Sequence, residues 1–273
     1  MTDNGPQEEL LNDTCGVCPH WRRGRPGPPL RRRAPMNHRH LLAIVEHPAA
    51  VSALRCYYGG WTGSRFESLG RPDGTDPHPD QITAADIAAV SLLSVTVPAE
   101  GAIALLEGDL GRQVAEQLRA IPTDVDLGTA QAFELVRDGS AANRAWHLLT
   151  AQHRIGPVLA GTLLARKRPR LIPVHDAVVE CAIKPPPHQL WISLNHQLQT
   201  NDGLLRNQLR RLHTAARLPE QVSVLRVLGV IVWMFHQRTH AGPNCIGLDL
   251  SAVPAGPDCT AWLGPRTQLT AGT

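Results

Sequence analysis

Apolar residues return every three to four positions over most of the chain between about residues 83 and 237, the spacing of helices that bury one face. The pattern predicts helices over Thr83–Val95, Pro98–Leu106, Arg112–Ala120, Thr129–Arg137, Ala141–His153, Pro157–Arg166, Pro173–Ala182, Gln189–Gln199, Leu204–Ala216 and Gln221–Gln237. One start carries its own punctuation: Thr83-Ala84-Ala85-Asp86 is a capping box with Asp in place of Glu, in which hydroxyl and carboxylate satisfy each other's backbone amides. Strand-like alternation is weak throughout. The most apolar stretch, Val222 to Phe235, is interrupted by Arg226. It falls short of the roughly 20 residues of a bilayer crossing, so it reads as a core helix with Trp233 and Phe235 inside. From Leu204 to Arg217, Leu205, Leu209 and Leu212 oppose Arg206, Arg210, Arg211 and Arg217, as on a surface helix.

Two stretches lack this pattern. Residues 1–35 are rich in Pro, Gly and Arg and run through Pro28-Pro29-Leu30-Arg31-Arg32-Arg33, while residues 241–273 return to Gly, Pro and small polar residues. Both read as disordered. Met36 stands just before the first apolar run, Leu41 to Val45, and is a second candidate start of translation; a peptide from residues 1–35 found in cell lysate would refute that. The expected organisation is therefore a disordered arm (1–35), a mainly α, multi-helix globular domain (36–240) and a disordered tail (241–273). Within the domain, Tyr57 to Glu67 alternates aromatic residues with Gly59, Gly60 and Gly63. It reads as a loop or tight turn, because glycine tolerates positive φ.

Composition sharpens this reading. A 42% hydrophobic content over 273 residues fills a sizeable core and argues against a disordered protein. With only 3 Phe, 2 Tyr and 6 Trp, the apolar set is chiefly Leu, Ala and Val and favours helix. No basic flank is followed by the apolar run of about 7–15 residues that a secretory signal needs, so a cytoplasmic protein without a membrane span is expected. The six cysteines are scattered, and reduced thiols are the expectation. Cys15-Gly16-Val17-Cys18 has metal-ligand spacing with His20 nearby, but no second pair adjoins it, so a solvated tail is favoured and no metal or cofactor is expected. The net charge of +3 says little about partners. Its distribution says more: between Gly139 and His175 there is no acidic residue, while Arg144, Arg154, Arg166, Lys167, Arg168 and Arg170 accumulate. That segment is expected to carry a local positive field.

The most informative run is Arg154-Ile155-Gly156-Pro157-Val158-Leu159-Ala160, followed by His175-Asp176. An apolar helix ends in a turn at Gly156, and Pro157 opens the next helix at a position where its missing N–H costs nothing. Amides at such a helix start can hold a phosphate oxygen. Here the chain resembles the helix-hairpin-helix DNA glycosylase superfamily, whose hairpin reads roughly Gly-hydrophobic-Gly-x-x-Thr-Ala. Gly156 and Ala160 match its second Gly and its Ala, and Asp176, twenty positions after Gly156, stands where the resemblance puts the catalytic carboxylate. Arg154 replaces the first Gly and Leu159 the Thr. Val158 stands where lyase-type members carry Lys, so a Schiff-base mechanism is not implied. The iron–sulfur cysteine run of some members has no counterpart. Over most of residues 50–235 the chain also looks like an actinobacterial family of unknown function, through Tyr58-Gly59-Gly60, Ile82-Thr83-Ala84 and Leu164 to Val174.

The glycosylase resemblance implies that Asp176 is catalytic and that Tyr57, Tyr58, Gly60, Trp61 and Phe66 line a pocket for an extruded base. Arg154, Ile155, Gly156, Pro157 and Val158 would meet phosphate, with charge from Arg166, Lys167 and Arg168, and the partner would be DNA or another nucleic acid. Each residue also has a plainer role: Asp176 as a helix cap, His175 as a surface residue, the basic run as a solvated loop, the aromatics as anchors of a turn. A rival class is a non-enzymatic protein-interaction module or a component of a stress or toxin system. A third reading, an enzyme acting on a small phosphorylated ligand at Gly59 to Gly63, is weaker.

Overall fold

The computed structural model describes residues 36–262. The basic arm, Met36's upstream flank and the Cys15-Cys18 pair lie outside the described residues, as do residues 263–273. Among the described residues the regular structure is helical throughout, with no strand. The helices are α1 (His38–Val45), α2 (Ala50–Gly60), α3 (Ala84–Ser91), α4 (Ala99–Leu106), α5 (Asp109–Arg119), α6 (Ala130–Val136), α7 (Ala141–Thr150), α8 (Pro157–Lys167), α9 (Ala177–Ile183), α10 (Leu190–Ala216) and α11 (Val224–His236).

Side-chain caps set most of the starts. Asn37, Thr129, Ser140, Asp176 and Ser223 each accept a hydrogen bond from an amide in the first turn of the helix that follows. At α3 the capping box is complete: Thr83 N donates to Asp86 Oδ2 at 2.9 Å and Asp86 N donates to Thr83 Oγ1 at 3.3 Å. Inside α10, Thr200 to Gly203 leave the helical region, with positive φ at Asn201, Asp202 and Gly203. The two predicted helices, Gln189–Gln199 and Leu204–Ala216, are thus the two arms of one kinked element. In the second arm Leu205 and Leu209 are buried, while Arg206 and Arg210 reach the Gly128 carbonyl and Asp126.

Helix α11 packs against α1, α2, α9 and α10, which explains why residues all round it are apolar. Of the two aromatics expected in the core, Phe235 is buried there, whereas Trp233 is half-buried. Helices α5, α7 and α8 form a second group, with α3 laid against α8.

Three expectations need correction. Tyr57 to Gly60 are not a loop but the last turn of α2; the turn begins only at Trp61, followed by a single 3-10 turn over Thr62–Arg65. Helix α2 holds because Ala50, Ala53, Leu54, Cys56 and Tyr57 are buried along one side, which outweighs the cost of two terminal glycines. Residues 241–262 are not a tail: three 3-10 turns fold them back on the domain, and Trp262 is fully buried and stacked on Phe235. Nor are all thiols reduced. Cys259 forms a disulfide with Cys56, 203 residues earlier. Closing so long a loop restricts the unfolded chain, so Cys259→Ser, or reductant, is expected to lower the stability by about 2–4 kcal/mol. Denaturant titration with and without reductant checks this; no difference would mean that the bond does not form.

Candidate functional site

The basic run does not face solvent. Arg166, Lys167 and Arg168 are 1%, 3% and 1% exposed. Lys167 Nζ is 2.8 Å from both Asp76 Oδ2 and Asp86 Oδ2. Arg166 Nε lies 3.1 Å from Asp86 Oδ1, and its other nitrogens donate to the Phe66 and Leu69 carbonyls. Arg168 pairs with Asp80 at 2.6 Å and donates to the Ile121, Pro79 and Leu118 carbonyls. Burial acts to lower the Arg166 pKa, and the neighbouring Arg71 adds to it against the pull of Asp86. Arg170 is half-exposed but bound to Asp126 at 2.8 Å. The charges of Arg166, Lys167, Arg168 and Arg170 are therefore largely met by neighbouring carboxylates, and of the expected field only Arg144 and Arg154 carry no acidic partner among the described residues. Arg166, Lys167 and Arg168 hold α8 to α3, to the segment before it and to the end of α5, and are not available to phosphate.

The helix-hairpin-helix element does form, from α7, the turn at 151–156 and α8. Arg154 sits at its tip with φ of +65° and is exposed, as are Gly156 and Pro157. Ile155 is buried and its amide donates to the Gln152 carbonyl, so it is not a surface donor. Gly156 caps α8 without a side-chain bond; the Gly156 and Val158 amides have no acceptor among the described residues.

About 20 residues on, Asp176 caps α9: its Oδ1 accepts from Val178 N at 2.7 Å and Val179 N at 3.1 Å. Oδ2 has no hydrogen bond among the described residues. Asp176 lines a cleft of about 410 Å³ together with Tyr57, Trp61, Arg226, Gly229 and Trp233. Asp176 thus caps α9 through Oδ1 and also lines the cleft. His175 lines this cleft as well as a second, of about 370 Å³, shared with Pro157 at the start of α8. Its Nε2 lies 3.4 Å from Glu180 Oε2, an interaction that holds the Glu180 carboxyl below its usual range. Close approach to α8 fixes the segment: a Cβ on Gly161 would stand 2.5 Å from the His175 Cβ.

One wall of the cleft is aromatic. Tyr57 stacks on Trp61 with centroids 6.4 Å apart, and Trp233 meets the Trp61 ring edge-on at 5.1 Å. Beneath them Arg226 is ion-paired with Glu67 at 2.6 Å and donates to Tyr57 Oη at 2.6 Å and to the Gly63 carbonyl at 3.1 Å. It also lies over the Tyr57 and Phe66 rings. Burial raises the Tyr57 phenol above its ordinary pKa although Arg226 pulls the other way. On Arg226, burial is outweighed by Glu67 and the two tyrosines, which raise its pKa.

Of the expected pocket residues, Tyr57, Gly60 and Trp61 reach this cleft, whereas Tyr58 lines a separate one beside Gly59 and Ser64, and Phe66 is buried beneath Arg166 and Arg226. Sequence reasoning missed Arg226, Gly229 and Trp233. The signal was there in part: a cation and a glycine in the most apolar helix are costly unless a polar partner and open space adjoin them. A Cβ at Gly229 would meet no atom within 4 Å.

Residues 50–236 match the profile of a protein family described as a family of unknown function (DUF6308). No curated protein and no solved structure matches the chain.

Proposed function

We propose that this chain, which belongs to the DUF6308 family of unknown function, binds a flat ring the size of a nucleobase in the Tyr57–Trp61–Trp233 cleft. The ring would be presented by a nucleic acid whose backbone rests on the α7–α8 hairpin. The observation that carries this reading is the meeting of an unengaged Asp176 oxygen and an aromatic wall in one cleft. Its volume falls within the roughly 300–1,000 Å³ of small-molecule sites. Stacking between aromatic rings is how an extruded base is held. Phosphate contact would come from the Gly156 and Val158 amides and Arg154, with Arg166, Lys167 and Arg168 playing no part. Asp176 Oδ2 would then face the ring's link to its sugar, where a carboxylate stabilises developing positive charge or orients water. The reaction class is glycosidic hydrolysis without a covalent amine intermediate.

The test uses duplexes carrying an abasic site or a modified base. Binding is expected to quench Trp61 and Trp233 fluorescence and to weaken as salt rises. Asp176→Asn should keep binding but slow base release by about 100-fold or more. Gly229→Leu, which adds a side chain where the structure has open space, should abolish binding while preserving the fold. Equal quenching by wild type and Gly229→Leu would rule out this cleft, and base release indifferent to Asp176→Asn would rule out the chemistry.

The protein-interaction reading draws on a different surface, where Ile103 and Leu106 of α4 are 59% and 43% exposed. It expects Asp176→Asn to change stability alone.

A further inference from the structure

Farther along α9 than its Asp176 cap, four side chains of metal-binding type converge. Cys181 lies within α9, His236 ends α11, His240 follows one turn later, and Cys245 comes just after the 3-10 turn Gly242–Asn244. One ligand atom from each falls within 4.8 Å of all the others, and Cys245 Sγ is 3.3 Å from His236 Nε2. Ligands about 2.0–2.3 Å from a tetrahedral zinc ion are separated by roughly 3.3–3.8 Å. Small side-chain movements would therefore close the set. The geometry points to a structural zinc site formed by Cys181, His236, His240 and Cys245.

The donor chemistry supports zinc over other cations. Two thiolates balance the ion's charge, and a mixed sulfur and imidazole set of four in tetrahedral reach is the preference of zinc, whereas magnesium and calcium want oxygen. The surroundings are those of a ligand set. His236 is fully buried, and its Nδ1 is 3.3 Å from Thr239 Oγ1, leaving Nε2 toward the cluster. Such a second partner orients a ligating imidazole. The Gly247 amide donates to Cys245 Sγ at 3.5 Å. His240 Nδ1 is buried with no hydrogen-bond partner, a costly state for a ring nitrogen unless something not yet counted binds it. The disulfide cysteines lie elsewhere, and Cys181 and Cys245 are free thiols.

With four protein ligands and no open position, the ion would hold structure and not act on substrate. It would tie α9, and so the Asp176 cap five residues before Cys181, to the end of α11 and to the segment 241–262. The expectation that no metal is bound rested on Cys15 and Cys18; the proposed set shares no residue with that pair.

The full chain, purified without chelator from zinc-supplemented medium, should carry about one zinc ion per molecule by elemental mass spectrometry. With cobalt substituted, thiolate-to-cobalt charge-transfer absorption and tetrahedral d–d bands should appear. Cys245→Ser and His240→Ala should each lose the metal and the thiolate signature while circular dichroism still reports helix, and Cys15→Ser/Cys18→Ser should retain both. Metal that survives Cys245→Ser and His240→Ala, or that leaves only with Cys15 and Cys18, would overturn the proposal. So would a metal-free wild type with Cys181 and Cys245 joined as a disulfide. The cobalt spectrum of the wild type decides the matter even if a variant fails to fold.

Discussion

Asp86→Ala is expected to cost about 3–5 kcal/mol, a large part of the roughly 5–15 kcal/mol that holds a domain folded. Asp86 is 2% exposed and stands between Lys167 at 2.8 Å, Arg166 at 3.1 Å and Arg71 at 3.6 Å. Arg71 and Lys167 also share Asp76, at 2.5 and 2.8 Å. Three cations thus face two carboxylates, and the carbonyls of Phe66 and Leu69 solvate the excess. Removing Asp86 would leave one carboxylate for three buried cations and would also undo the α3 capping box. Lys167→Met, by contrast, leaves Arg71 and Arg166 facing Asp76 and Asp86 in balance, and removing a buried charge in favour of apolar volume is often close to neutral. The two variants should therefore differ by several kcal/mol in urea unfolding, although each deletes one partner of the same 2.8 Å contact. Equal losses, or a loss under about 1 kcal/mol for Asp86→Ala, would mean that these charges are hydrated. Arg166, Lys167 and Arg168 would then be available again as phosphate ligands.

That contrast also shows where the sequence was legible. The helices were readable because their signals are local: the Thr83–Asp86 box, Pro157 at the first turn of α8 and the apolar run of α11 each act within a few residues. The basic run was misread because charge was followed along the chain, whereas its partners Asp76, Asp80 and Asp86 lie some 80 to 90 residues earlier. Their own clustering between Asp76 and the first turn of α3 was the available clue. Gly59 and Gly60 suggested a turn by conformational freedom, but tertiary burial of α2 decided otherwise. Asp176 was placed correctly as a cap by local pattern, while its sharing of a cleft with Trp61 and Trp233 depends on how α2, α9 and α11 pack. No spacing rule reports that, nor the pairing of Cys56 with Cys259.

Trp262→Ala should destabilise the protein by about 3–5 kcal/mol, the usual range for deleting a buried aromatic, although Trp262 stands in a stretch rich in Gly, Pro and small polar residues. Its ring is wholly buried and lies nearly parallel to Phe235 of α11, with centroids 5.8 Å apart and an interplanar angle of 14°. The Gln237 side chain donates to its carbonyl at 2.9 Å. Its indole N–H has no acceptor among the described residues, so shape and apolar area are what the residue contributes. Trp262→Phe should for that reason be much milder than Trp262→Ala. Ile246→Ala, at a site 54% exposed in the same segment, should stay within about 0.5 kcal/mol. Because Phe235 adjoins His236, loss of the ring should also loosen the end of α11, seen as faster amide exchange there than at α5. A flat response across all three substitutions would return residues 241–262 to the status of a tail. It would also remove the packing that holds Cys245 beside His236.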